Sequence, residues 1–244
     1  VEEKEVSRIG DNPPALPKRF YKHASLGADG AILLDGKPAR TRARLALAAP
    51  AALAAAIADE WNAQIDVIDF LSMPMTRFQM TVIDRGKADA DAWRETTLSF
   101  LRSDLLCYRA IAPVELVVRQ CAEWDPLLRW AELGGVALKR SSGVGFIEQP
   151  PSAIEAGASM LRTAPPPQLL AIKSAAEISG SAVIALALWR RAFEAQALFR
   201  ASRVDEDFQA EKWGWDAEVE ARARRLKTDF LDAARYSSLA AGAG

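Results

Sequence analysis

From about Asp89 onward, apolar residues recur three and four positions apart; before it they come in short runs broken by turn residues. In AILLDGKPART (31–41), Asp35-Gly36 supplies a primed turn between two short strands, and Pro38 confines the return strand to a sheet edge. Pro50 opens a helix with Leu53, Ile57 and Trp61 on one stripe. Met75, Phe78, Val82 and Ile83 mark a second helix, which Gly86 is expected to end. Trp93, Thr97, Phe100 and Leu101 line the next, and Val114, Val118, Cys121 and Leu128 face the core from another that stops at Gly134-Gly135. The interlude VALKRSSGVGFIEQP (136–150) allows two short strands, and the helix after it starts with Ser152 as cap and Glu155 at the third position. A long helical tract from Leu169 to about Arg200 follows, where Gly180 among small residues is expected to admit a neighbour's backbone. The pattern predicts an α+β protein: a small strand-containing N-terminal domain, residues 1–87, then a larger all-helical C-terminal domain, residues 88–244.

The last helical segment, VDEDFQAEKWGWDAE and beyond, carries an apolar stripe through Val204, Phe208, Trp215, Val219, Leu226 and Phe230 if the helix is unbroken. Glu211 falls inside that stripe, where an unpaired carboxylate costs several kcal/mol. Two readings stay open for it: an internal ion pair or a contact with a partner. Trp213 lies on the opposite, charged face unless Gly214 breaks the helix, and it divides between packing and recognition, as exposed tryptophans often anchor interfaces. Glu206 is on the same solvent side. Glu218 with Arg222 and Glu220 with Arg224 are ordinary helix-face pairs.

Composition narrows the chemistry. The chain has 244 residues and a net charge of −1, so its bulk charge recommends no nucleic-acid partner. The two cysteines, Cys107 and Cys121, are too few for a disulfide scaffold or zinc cluster and read as buried thiols in a reducing compartment. No apolar run reaches the length of a membrane span and the first twenty residues lack a signal-peptide core, so a cytoplasmic protein is expected. Residues 1–18 read as a flexible lead. His23 is the single histidine, which removes multi-histidine metal sites and two-histidine mechanisms. Gly143-Val144-Gly145 is not followed by a helix and no phosphate loop is present, so no nucleotide, metal or other cofactor is expected. In SDLLCYR, Asp104 reads either as a cap on backbone N–H groups or as part of a contact, and Arg109 either pairs with an acid or meets a partner. Trp124, beside Asp125 and Pro126, suggests an elbow.

LDGKPAR, EWNAQ (60–64), MPMTR (73–77), SDLLCYRA, QCAEWDPLLRW, ISGSAVIALAL and VDEDFQAEKWGWDAE occur here in the order seen in the ATP12 family, which the chain resembles over about residues 18–236. Members are assembly chaperones of the F1 part of ATP synthase. The resemblance implies a non-enzymatic protein that binds the free F1 alpha subunit transiently, as a monomer, until the beta subunit displaces it. Trp61, Asp104, Arg109, Glu206, Glu211 and Trp213 match family motif positions. Trp61 is expected in the core, the other five in partner binding. Phe78, Gln79 and Met80 depart from the family's usual residues, suggesting a partner surface tuned to one species. The competing readings are a metal-free cytoplasmic enzyme with an interdomain cleft using Asp104, Arg109 and Glu211, and a permanent adaptor.

Overall fold

The computed structural model describes residues 16–143, 145–214 and 216–242. Most of the flexible lead expected at 1–18, residues 1–15, and Trp215 of the expected stripe lie outside them. Strands β1 (Ala24–Leu26), β2 (Ile32–Leu34) and β3 (Lys37–Pro38) form an antiparallel sheet in that order. Asp35 and Gly36 take φ of 48° and 80°, the primed-turn geometry that matches strand twist, and Pro38 sits on the edge strand. Helix α1 (Ala51–Asn62) follows Pro50 directly and buries Leu53, Ile57 and Trp61. The Asn62 side chain exchanges two hydrogen bonds with the backbone of Ala24, at 2.8 and 2.9 Å, which fixes α1 on the sheet.

Helix α2 (Pro74–Arg102) begins with four N–H groups that lack helical partners, and the Glu60 carboxylate accepts from two residues there, Met75 at 2.7 Å and Thr76 at 2.8 Å. Burial still holds the Glu60 pKa above the usual carboxylate range, against the lowering effect of those bonds. Gly86 does not end this helix, which continues for 29 residues. A Cβ at Gly86 would lie 3.1 Å from the Cβ of Pro166, so glycine here serves the close approach of helix α5 (Pro166–Ser179). The division expected between residues 87 and 88 therefore falls inside a continuous helix.

Two hydrophobic clusters flank α2. One joins the sheet, α1 and the start of α2; the other fills the helical part. The last helix, α9 (Ala217–Ala240), contributes to both, with Tyr236 in the first and Phe230 in the second. The Tyr236 ring stacks on Phe78 at 4.8 Å, and its hydroxyl donates to Gln79 Oε1 at 2.8 Å. The Gln79 amide donates in turn to the Ala48 carbonyl at 2.6 Å. Gln79 is thus a buried joint between sheet and helices, and half-buried Phe78 packs beside it.

Helices α3 (Val114–Leu133), α4 (Pro151–Arg162), α6 (Ala182–Trp189), α7 (Ala195–Ala201) and α8 (Val204–Trp213) complete the helical part. The expected continuous tract from Leu169 is broken because Gly180 adopts the left-handed conformation, φ 69°, and ends α5. Its Cβ would meet nothing nearer than Leu105 Cβ at 3.8 Å, so the requirement is for the dihedral and not for a neighbour's backbone. Ser181 then caps α6, its hydroxyl accepting from Ile184 N at 3.1 Å. Every residue from Ala182 to Leu188 is buried, as a helix apolar on all sides demands.

Other expectations are also corrected. Helix α4 follows Pro150 without a side-chain cap, and Ser152 lies inside its first turn. Among the described residues, the interlude gives one strand, β5 (Ser141–Ser142), parallel to β4 (Tyr108–Arg109). Trp124 marks no elbow. It is fully buried in mid-α3, its ring N–H donating to the Ala201 carbonyl at 2.6 Å, and Pro126 is accommodated within the same helix. The α+β architecture itself, the three-stranded sheet early and the helices after it apart from the short β4–β5 pair, is the observed one.

Trp61 is 4% exposed, packs edge-on against Tyr21 and Phe70, and its carbonyl accepts from the Tyr21 hydroxyl at 2.6 Å. Replacement by arginine buries a charge among apolar rings. Trp61→Arg is expected to cost several kcal/mol, comparable to the stability of an ordinary domain, and to abolish the cooperative thermal transition. A wild-type melting curve for this variant would contradict the placement.

Candidate functional site

The turn after α2 is organised by Asp104, which has no exposed surface. Its carboxylate accepts from Leu106 N at 3.1 Å, Ser181 Oγ at 2.7 Å and Val183 N at 3.0 Å. It satisfies N–H groups at the start of α6 as well as its own turn, the capping role left open by the sequence. Burial pushes its pKa up to about 6, against the lowering effect of those bonds. Asp104 is thus enclosed, with none of its surface exposed to solvent.

Arg109 is likewise occupied internally. Its guanidinium pairs with Asp125 at 2.7 Å, donates from Nε to the Leu106 carbonyl at 3.0 Å and lies over the Trp124 ring at 5.1 Å. Arg140 meets the same Asp125 at 3.2 Å. Next along the chain, Ala110 N donates to Gln120 Oε1 at 2.8 Å, and the Gln120 amide donates to Asp205 Oδ1 on α8 at 2.7 Å. Asp104 and Arg109 thus position the segment on which α3 and α8 meet. The thiols differ from expectation in part: Cys107 is buried, its pKa pushed up to about 12 by burial and then by Asp104, whereas Cys121 is exposed.

Helix α8 is held on α3 by buried Val204 and Phe208. Glu211 pairs with Arg119 of α3 at 2.7 Å, and the Arg119 guanidinium sits 5.3 Å from the centre of the Phe208 ring. The pair, mainly through its hydrogen bond, lowers the Glu211 pKa and raises that of Arg119. Both side chains remain about half exposed, so the pair is neither a core salt bridge nor a free carboxylate. Beside it is a shallow cleft of about 230 Å³, lined by Arg119, Glu123, Arg200, Asp207 and Glu211 among others. Glu206 is half exposed, with Arg203 at 3.3 Å.

Gly214 does break the helix. With φ 94° and ψ 157° it occupies a region open essentially to glycine alone, and the chain turns there into α9. The stripe expected through Phe230 is therefore two separate faces. Trp213, at the last position of α8, is 80% exposed.

The sequence reading missed three further members of this face. Ile111, Val114 and Val118, placed before and along the first turns of α3, are 75%, 73% and 60% exposed. Val114 and Val118 were assigned to a core stripe. The buried face of α3 is instead Gln120, Trp124, Leu127, Leu128 and Ala131. The signal was present: IAPVELVV has apolar residues on more faces than one helix can bury, and only Leu116 and Val117 among its branched residues are half-buried. Asp104, Arg109 and Glu211, the trio required by an enzyme with an interdomain cleft, do not converge on one cavity. The first is enclosed, the second faces Asp125 and the third Arg119.

Helices α3 and α8 thus carry large exposed apolar side chains as well as a half-exposed ion pair, surface chemistry of the kind that binds other proteins. Comparison with known proteins gives the family. The model of the ATP12 chaperone protein family matches residues 18–132. Atp12 of Paracoccus denitrificans is 35% identical, with a TM-score of 0.85, the match covering 92% of this chain and 98% of that one. A point mutant of the same protein superposes with a TM-score of 0.86 at 34% identity, covering the same 92% and 98%. A protein of Agrobacterium tumefaciens assigned as a chaperone is 39% identical, with a TM-score of 0.85, covering 93% of this chain and 87% of that one. The chain belongs to the ATP12 family of chaperone proteins.

The Asp104 environment makes a testable statement about pH. A carboxyl with a folded pKa near 6 and an ordinary unfolded value contributes stability that is fully present below the unfolded pKa and lost as pH rises through 6. The stability of wild type minus that of Asp104→Asn is expected to fall by about 2 kcal/mol between pH 4 and pH 7. Urea unfolding of both proteins across that range reads the difference. A difference constant with pH would show that the carboxyl is not held above its normal range.

Proposed function

We propose that the chain binds the unassembled alpha subunit of F1 ATP synthase through the face formed by α8 and the start of α3, and shields an interface of that subunit until the beta subunit displaces it. Membership of the ATP12 family supports the chaperone role. The observation that carries the choice of face is the exposure of Trp213 at the end of α8 and of Ile111, Val114 and Val118 before and along the first turns of α3, the two helices that the Arg119–Glu211 pair joins. Large apolar side chains left in water on a well-packed helix pair mark a protein-interaction site. An unassembled subunit exposes apolar surface that aggregates, and a cover of apolar centre and charged rim masks it without the permanence of an obligate interface.

Within this reading Trp213 is the anchor, Glu206 and Glu211 set the charge of the rim, and Asp104 and Arg109 act from inside by fixing the segment that carries α3. Release is by competition and involves no nucleotide, and the complex forms in the cytoplasm with a monomeric chaperone. Both the N-terminal part, residues 1–87, and the helical part, residues 88–244, are needed, because α2 and α9 are built into both clusters.

Trp213→Ala is expected to weaken binding of isolated alpha subunit by about thirtyfold, the effect of a 2 kcal/mol hot spot. Glu211→Lys is expected to weaken it as well while leaving the thermal melt close to that of wild type, because the pair with Arg119 is a surface one. Titrations followed by size-exclusion chromatography, with thermal melts of the same proteins, check both. Unchanged affinity in both variants, with unchanged melts, would remove this face from the account.

A further inference from the structure

Residues 40–46, RTRARLA, leave the sheet as a tight hairpin far in sequence from α8. Arg40 and Ala46 form a bridge pair, Thr41 N donates to the Leu45 carbonyl at 2.9 Å, and Arg44 N donates to the Thr41 carbonyl at 3.0 Å. Arg44 takes the left-handed conformation, φ 63°, uncommon for a residue with a side chain. The Arg40 guanidinium donates to the Arg44 carbonyl at 2.8 Å and holds that shape. At the turn itself, Asp84 of α2 accepts from Ala43 N at 3.3 Å.

The result is a stiff tip bearing three guanidinium groups within five residues. Among the described residues, none of the three has a carboxylate partner within 4.0 Å, although most arginines of the helical part that pair do so closely. Arg42 to Ala46 are all exposed, and Leu45 is 48% exposed at the edge of the charges. Like charges fixed together repel; the Asp84 carboxylate on Ala43 N offsets part of that repulsion, and an external anion would relieve the rest.

The form of the tip selects the kind of anion. The larger clefts found among the described residues are lined by residues elsewhere, and none of them offers a groove at the hairpin for an extended acidic peptide. It carries no aromatic ring on which a nucleic-acid base could stack. Arginine forks match phosphate oxygens in two-pronged fashion, and the adjoining leucine gains by entering an apolar boundary just below a charged plane. We propose that the 40–46 hairpin docks the protein reversibly on an anionic phospholipid surface, with Arg40, Arg42 and Arg44 on headgroup phosphates and Leu45 at the acyl boundary. No helix is required to cross the bilayer, and no described helix is long and apolar enough to do so.

Flotation of the full chain with vesicles tests this. Binding is expected to phosphatidylcholine vesicles that contain phosphatidylserine, to weaken with added salt, and to be negligible with phosphatidylcholine alone. Each arginine near such a surface raises partitioning about fivefold, so Arg42→Gln with Arg44→Gln is expected to lower it about thirtyfold. That double variant keeps Arg40 and its backbone clamp, and its melting curve should match wild type. Leu45→Ala should lower partitioning by a smaller factor. Equal binding to neutral vesicles, or undiminished binding of the double variant, would overturn the proposal. So would absence of vesicle binding, including the case in which the chain binds polyglutamate or single-stranded nucleic acid instead.

Discussion

The buried carboxylate of Asp104 ties the end of the longest helix described, α2, to the start of the most completely buried one, α6. Helix α6 has no polar face with which to be oriented, since every residue from Ala182 to Leu188 is enclosed. Its direction must therefore be set at its ends. Asp104 does this from 79 residues away in sequence by accepting the Val183 N–H and the Ser181 hydroxyl that caps the same helix. Isolated in an apolar interior the carboxylate would be prohibitive, and three donors aimed at it make the site tenable. The raised pKa is the residue of that compromise.

From this anchor the geometry propagates to the surface. The turn that begins at Asp104 continues into Arg109 and Ala110, whose contacts fix Asp125 and Gln120 on α3, and Gln120 reaches Asp205 on α8. The apolar residues at the start of α3 and Trp213 at the end of α8 are thus displayed from a frame whose polar groups are already paired. Their exposure is a property of a rigid scaffold and not of slack packing, as a preformed binding surface requires. Gly214 ends the display by turning the chain away in a conformation that a side chain would strain.

Local signals were legible in the sequence wherever one residue type has one physical use. Asp35-Gly36 could only turn, Pro38 could only sit at an edge, and the Leu53, Ile57, Trp61 stripe could only be core. Glycines were harder, because the same residue serves opposite ends. Gly86 permits a close approach inside a helix, Gly180 supplies a left-handed cap, and nothing in the flanking sequence separates the two uses. At the candidate site, Glu211 and Trp213 stood out as exceptions to the helical pattern. For Ile111, Val114 and Val118 the sequence showed an excess of apolar faces around IAPVELVV, but the spacing alone does not say which of those faces is left in water. Asp104 and Arg109 were recognised as special, but whether they act from inside or outside is decided by Ser181, Val183 and Asp125, distant residues that only the fold brings near.

The central claim is that the α8–α3 face is where the client sits. Hydroxyl-radical footprinting of the chain, free and in complex with isolated F1 alpha subunit, measures this side chain by side chain. The account predicts strong labelling of Trp213, Ile111, Val114 and Val118 in the free protein and protection of all four in the complex. The exposed apolar residues of the opposite part of the chain, Phe20, Ile65 and Leu71, should label equally in both states. Protection of Phe20, Ile65 and Leu71 with unchanged labelling of Trp213 would contradict it.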